Sequence, residues 1–306
     1  MDYLFVLAGL ICLFFGGDWL VKGAIALSAK LGLPAFLISL TVVGFGTSMP
    51  ELLVSVRAAL AEAPGIALGN VIGSNIANIL LIIGLSAVIA PIAISSGNSK
   101  RDIIVMMAAT ASLVAMLFSG LISFGLGLLM VGALIVYLVT AYFQDRALGA
   151  DEIDADVLKI SAPKIAALLA FGLALLASGA DLLVRGATQI ATDLGVSNAV
   201  IGLTVVAVGT SLPELATSIT AALKGRSDIA IGNVVGSNIF NILGILGITA
   251  LITPITVAER FQSIDGWVLL ATTLVFFALL LAEKSIGRLL GVLFLTAYGS
   301  YMVSMA

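Results

Sequence analysis

Two glutamates sit where an acid could bind ions. Glu51 ends the stretch Gly46-Thr47-Ser48-Met49-Pro50-Glu51, and Glu214 ends Gly209-Thr210-Ser211-Leu212-Pro213-Glu214. Each lies deep in a long apolar run, with no basic residue in the same helical turn. A carboxylate at such depth in a membrane is costly to insert, so it faces a partner or a watery cavity. The plain alternative is a pair of protonated glutamates packing a core. The recurrence of this costly residue in two matching places argues against it.

Pro50 and Pro213 immediately precede the two acids. Proline lacks an N–H and clashes with the carbonyl four residues back, here that of Gly46 or Gly209. The sequence therefore predicts that both helices bend at this point and expose backbone oxygens. Broken backbone is tolerated at membrane depth only where it is buried in protein or lines a cavity. A second polar set follows each acid. Ser74 and Asn78 lie four residues apart and share a helix face, with Asn75 beside them; Ser237, Asn241 and Asn238 repeat the arrangement. Such residues also serve as plain inter-helix hydrogen bonders, but four matched positions near a glutamate pair favour ligands.

The available groups are carboxylate, hydroxyl, amide and backbone carbonyl. The chain has no histidine and a single cysteine, Cys12, so imidazole and thiolate chemistry is absent. An all-oxygen set suits hard cations such as Na⁺, Ca²⁺ or Mg²⁺. Two glutamates carry at most two negative charges, which one Ca²⁺ neutralises. Two or three Na⁺ could compete for the same oxygens, and mutually exclusive occupancy is the physical basis of exchange.

The elements that must position these groups are membrane helices. Of 306 residues, 61% are hydrophobic and only 10% charged, and the mean hydropathy is +1.22. Soluble domains carry roughly a quarter charged residues. The net charge of −3 leaves no basic patch for nucleic acid. No phosphate-binding glycine loop is present, so no nucleotide is expected. Apolar runs predict about ten spans, at 3–27, 34–60, 66–91, 102–119, 121–142, 163–190, 197–223, 229–253, 266–282 and 286–304. The first begins without a basic leader, so it is expected to remain as a helix. The polar stretch 143–162, with Asp145, Asp151, Glu152, Asp154 and Asp156, reads as a solvated linker and not as a calcium loop.

Sliding the chain by 163 residues superposes the motifs without a gap. Asp18 falls on Asp181, Glu51 on Glu214, Asn70 on Asn233, Asn78 on Asn241, Pro91 on Pro254 and Asp102 on Asp265. This reads as a duplication. Each half, 1–142 and 163–306, then holds five spans, and an odd number inverts the second half relative to the first. The expected fold is all-α and integral to the membrane, with ten helices in two inverted five-helix repeats. Placing both termini outside and the linker in the cytoplasm puts only Arg57, Arg185 and Arg260 of the 14 Lys and Arg residues outside. Asp18 and Asp181 precede Lys22 and Arg185 by four residues, which predicts helix-surface ion pairs.

The motifs GTSMPE with GSNIAN, and GTSLPE with GSNIFN, resemble the two alpha-repeats of the sodium/calcium exchanger family, within the calcium/cation antiporter superfamily. The resemblance covers essentially the whole chain and is to the compact prokaryotic type, which lacks a large regulatory loop. It implies a Na⁺/Ca²⁺ antiporter in a prokaryotic inner membrane, monomeric and without a cofactor. Glu51, Glu214, Thr47 and Thr210 would form the calcium site. Carbonyls of Gly44 and Ala207 would help hold flanking Na⁺. Ser74 with Asn75 would serve the inner Na⁺ position, Ser237 with Asn238 the outer one, and Asn78 and Asn241 would line the middle. Ser48 and Ser211 would brace the kinks. Some relatives carry Asp where this chain has Asn78 or Asn241, which disfavours a potassium-dependent variant. Proton/divalent-cation antiport ranks second and a cation channel third. An intramembrane enzyme is remote, since no nucleophile–base pair is evident.

Overall fold

The computed structural model describes residues 2–61, 63–94, 100–146, 159–195, 207–282 and 284–305. Most of the expected linker, including Asp151, Glu152, Asp154 and Asp156, lies outside the described residues, as does the start of the span expected at 197–223.

The described chain is almost entirely helical, which satisfies each backbone polar group within its own segment, as lipid demands. The first half contains α1 (Asp2–Leu31), α2 (Ala35–Thr47), α3 (Met49–Leu60), α4 (Gly65–Ile89), α5 (Lys100–Leu117) and α6 (Phe124–Arg146). The second contains α7 (Ala162–Asp193), a short turn at Ala207–Gly209, α8 (Leu212–Leu223), α9 (Ser227–Ile252), α10 (Phe261–Leu281) and α11 (Arg288–Met305). Among the described residues, seven helices are long and apolar enough to cross a membrane, and the bent pair α2–α3 makes an eighth. The other two expected spans fall on α5, which opens with Lys100, Arg101 and Asp102, and on α8, of which 12 residues are described.

Two small strand pairings accompany the helices. β1 (Leu121–Ile122) runs antiparallel to β2 (Ile255–Thr256), and Ile92 bridges Ile286. Leu121 and Ile122 therefore do not belong to the helix expected from 121. Gly120, with φ 74°, turns the chain out of α5 and into β1; a side chain is disfavoured in that left-handed region.

The centre of the bundle is α4 and α9. Of their most apolar stretches, 72% and 83% of residues are buried, against no more than 39% for α1, α6, α7, α10 and α11. α6 lies on α9, and α11 lies on α4, so the last helix of each half covers the central helix of the other. α5 packs against α10.

The longest helices, α1 and α7, have 30 and 32 residues. At a rise of 1.5 Å per residue they reach about 45 Å, well beyond a hydrocarbon core of about 30 Å. Their backbones touch. Gly9, Gly16 and Gly23 recur every seven residues on α1, as do Gly172, Gly179 and Gly186 on α7. A Cβ on Gly9 would stand 2.8 Å from the Gly179 carbonyl oxygen. Gly16 meets Gly172, and Gly23 meets Leu169, so the pair runs antiparallel. Close approach of this kind replaces the hydrophobic effect as the source of helix association in lipid. α1 also packs on α8, where Lys224 Nζ lies 2.6 Å from Asp18 Oδ1. The ion pairs Asp18–Lys22 and Asp181–Arg185 form at 2.8 and 2.9 Å.

Three acids outside the motifs are also buried. Arg101 bonds both Asp102 and Asp145, and Tyr137 donates to Asp102 at 2.8 Å. Arg260 and Tyr301 meet Asp265. Buried carboxylates are costly unless paired in this way, and these pairs fasten α5 to α6 and α10 to α11.

The α1–α7 contact yields a stability test. Gly179→Ala should destabilise by about 1–3 kcal/mol through overpacking, because its Cβ would stand 2.9 Å from the Gly9 carbonyl. Gly132→Ala, with no neighbour within 4 Å, should not. Thermal melting of the detergent-purified variants distinguishes them.

Candidate ion-binding site

The proline rule plays out in both halves. α2 and α3 are bent by 44° across a break at Ser48, whose φ and ψ of −82° and 7° leave the helical region. Ser211 breaks the chain before α8 with nearly the same values, −86° and 5°. Glu51 and Glu214 consequently lie in the first turns of α3 and α8. The free N–H groups and the positive end of the helix dipole favour a carboxylate there.

Both carboxylates are buried, each residue being 1% exposed. Each is met by the break of the opposite half. Thr210 and Ser211 face Glu51; Thr47 faces Glu214, and Ser48 Oγ donates to Glu214 Oε1 at 3.0 Å. Neither serine caps its own helix through its side chain, and Ser48 instead reaches a buried carboxylate, a stronger acceptor than a neutral carbonyl.

The amides complete the surroundings. Asn78 Nδ2 donates to Asn238 Oδ1 at 3.0 Å, joining α4 to α9. Asn238 Nδ2 points at the Met106 sulfur, 3.9 Å away. Ser237 Oγ donates to the Gly44 carbonyl at 3.4 Å. Gly44 itself presses on α9, since a Cβ there would stand 3.1 Å from the Ser237 nitrogen. Both central helices widen into π-helical turns here, at Asn78–Ile83 and Phe240–Leu246; such turns are frequent at functional sites. Asn75 is turned toward its own helix, with Nδ2 on the Val71 carbonyl at 2.8 Å. Ser74 is buried, 5% exposed. Ala207 opens the short turn before α8, and its side chain lies outside what is described.

Two residues that the ligand expectations passed over belong to this network. Asn70 Nδ2 donates to the Glu51 carbonyl at 3.0 Å and to Ser55 Oγ at 2.9 Å. Asn233 Nδ2 donates to the Glu214 carbonyl at 3.3 Å and to Ser218 Oγ at 3.0 Å. All four positions match at the 163-residue offset, which was the available signal.

Among the described residues this arrangement has no basic side chain. Asp102, Asp145 and Asp265 each have an arginine; no ion pair among the described residues reaches Glu51 or Glu214. Buried polar atoms normally find partners. Here Glu51 Oε2, Glu214 Oε2, Asn75 Oδ1, Asn78 Oδ1, Ser211 Oγ and both side-chain polar atoms of Asn241 have none. Among the described residues no three of His, Cys, Asp or Glu converge, so the donors they offer here are these two carboxylates and neutral oxygens. Chemically, this set fits a hard cation.

Membrane-crossing helices around a buried polar centre define an integral membrane protein. The family described as sodium/calcium exchanger protein matches residues 1–143 and 164–306. Sodium/calcium exchanger MaX1 of Methanosarcina acetivorans is 33% identical over 342 residues, covering 99% of this chain and 98% of that protein. Inner membrane protein YrbG of Escherichia coli strain K12 is 36% identical over 299 residues, covering 94% and 91%. The solved sodium-calcium exchanger NCX_Mj, soaked with zero Na⁺ and Ca²⁺, superposes with a TM-score of 0.86 at 35% identity, covering 100% of this chain and 99% of that one. The chain belongs to the sodium/calcium exchanger family, whose members are transporters and not enzymes.

A stabilising ligand raises the melting temperature by mass action, by about 2.7 kcal/mol at a hundredfold excess over its dissociation constant. Added Ca²⁺ should stabilise the purified protein in this way. Glu51→Gln and Glu214→Gln should stay folded yet lose the response, as read by differential scanning fluorimetry.

Proposed function

We propose that this chain exchanges Na⁺ for Ca²⁺ across a membrane by alternating access, at one shared site built on Glu51 and Glu214. The observation that carries this reading is a pair of buried carboxylates with no basic partner among the described residues, Glu214 being met by Ser48 from the opposite half's helix break. One Ca²⁺ would neutralise them. Several Na⁺ would use the same oxygens, so the two loads exclude one another. The named relatives and the structural neighbour favour this pair of ions.

The ligands in this reading are Glu51, Glu214, Thr47 and Thr210 for Ca²⁺. Gly44, Ala207, Ser74, Asn75, Ser237 and Asn238 serve flanking Na⁺, and Asn78 and Asn241 line the middle. Ser48 orients the opposite Glu214 carboxylate, and Ser211 braces the matching kink. The chain crosses the membrane ten times, in inverted halves at 1–142 and 163–306. Both termini face outward, the linker 143–162 is cytoplasmic, and a single chain forms the transporter. Support comes from the 163-residue offset, the matched breaks at Ser48 and Ser211 and the exchanged packing of α6 on α9 and α11 on α4.

Alternating access assigns the moving part to α1 and α7. They are held to each other by glycine contacts, so they move as one body against α8. An empty site leaves two negative charges unpaired in a medium of low dielectric, which opposes the occluded passage. Full Na⁺ loading or one Ca²⁺ removes that penalty and allows the switch.

Proton coupling is the second reading, because the unpartnered Glu51 Oε2 and Glu214 Oε2 could also carry protons. Calcium uptake into proteoliposomes discriminates. Uptake should require an opposing Na⁺ gradient, persist with the pH gradient collapsed, and fall at least about a hundredfold in Glu51→Ala, whose loss removes half the site charge. Uptake driven by a pH gradient alone would support the proton reading. Uptake without any counter-ion would indicate a channel.

A further inference from the structure

The hydroxyl of Thr47 has one proton and, within reach, three acceptors. These are the Gly44 carbonyl at 3.3 Å, Asn233 Oδ1 at 3.3 Å and the Glu214 carboxylate. A hydroxyl that ligates a cation must turn its lone pairs to the ion and give its proton to something else. In the site proposed above, on which this inference rests, the Glu214 carboxylate and the Gly44 carbonyl are themselves ligands. A cation pulls their lone pairs away from Thr47. Gly44 also already receives the Ser48 N–H at 3.1 Å and the Ser237 hydroxyl. Asn233 Oδ1 is the acceptor that remains.

The orientation of Asn233 is not free. Its Nδ2 donates to the Glu214 carbonyl and to Ser218 Oγ. Turning the amide over would set Oδ1 against the Glu214 carbonyl, two acceptors face to face with no proton between them. The side chain is wholly buried, 0% exposed, so water cannot repair such a mismatch. Oδ1 is thus locked toward Thr47, a residue of the other half of the chain.

We propose that Asn233 is a positioning residue for the cation site. It takes the Thr47 hydroxyl proton, which leaves the Thr47 oxygen lone pairs to the ion. The same amide fixes the backbone of Glu214. One buried side chain of α9 therefore aligns two ligands on two different helices. Asn70 fixes the Glu51 backbone in the matching way.

A double-mutant cycle on the full-length purified protein tests this, with Ca²⁺ affinity measured by calorimetry. Asn233→Leu, close in shape, should weaken Ca²⁺ binding on the order of tenfold, as loss of a group that orients a metal ligand does. Thr47→Val should weaken it by a similar factor. The double variant should weaken binding by clearly less than the product of the two single factors, because Asn233 then has only the Glu214 backbone left to orient. Ser218→Ala removes the other clamp contact without touching Thr47, and its factor should multiply with that of Thr47→Val. Asn233→Ala replaces Asn233→Leu in the cycle if the leucine variant does not fold. Factors that multiply for Asn233 and Thr47 would overturn the positioning role while leaving the site reading intact. Unchanged affinity in both Thr47→Val and Glu214→Gln would instead overturn the site reading itself.

Discussion

Two buried carboxylates without a basic partner among the described residues form the constraint on which this protein is built. The cost of burying a carboxylate is still several kcal/mol after the surroundings relax. The chain shows both ways of dealing with it. Asp102, Asp145 and Asp265 are met by arginine, and two of them by tyrosine as well, so these acids fasten helices permanently. Among the described residues, Glu51 and Glu214 meet hydroxyls and backbone groups but no basic side chain. A fixed arginine beside them would end any exchange, because no mobile cation could displace it. In the proposed site, leaving the pair short of positive charge would make the ion itself part of the structure.

The rest of the fold serves that shortage. Proline breaks place each glutamate at a helix start and free the preceding turn. The amides of Asn70 and Asn233 then stiffen the broken segments against α4 and α9. Those central helices are the best-shielded elements, as a site of fixed geometry requires. α1 and α7 differ in kind. They are long, lipid-exposed over much of their surface, and joined by glycine-to-glycine contact. Asp18 on α1 is shared between Lys22 and Lys224. Position 61, which matches Lys224 at the 163-residue offset, is alanine. The two halves are therefore not electrostatically equivalent at this contact.

The acids, the prolines and the family were legible in the sequence because duplication wrote each of them twice. Glu51 and Glu214 stand out from 61% hydrophobic sequence without any structure. The role of Ser48 was not legible. It depends on how the halves interlock, and nothing local tells a serine to prefer a carboxylate 166 residues away over its own helix. The partners of the buried aspartates were hidden for another reason. Asp102 and Asp265 match at the offset, but Arg101 and Arg260 do not, and Tyr137 and Tyr301 are one residue out of step. The need for a counter-charge was kept in each half while its source moved. Asn70 and Asn233 matched as well, yet only the fold distinguishes an amide that grips a glutamate backbone from one aimed at an ion. The strands at Leu121 and Ile255 escaped because two-residue pairings leave no periodicity to read.

Diffraction from crystals soaked in Sr²⁺, a heavier stand-in for Ca²⁺, addresses the central claim most directly. An anomalous peak within coordination distance of both the Glu51 and Glu214 carboxylates, lost when excess Na⁺ is added, is the result this account requires. A Sr²⁺ peak touching neither carboxylate, with the two acids bridged by their own proton instead, would contradict it.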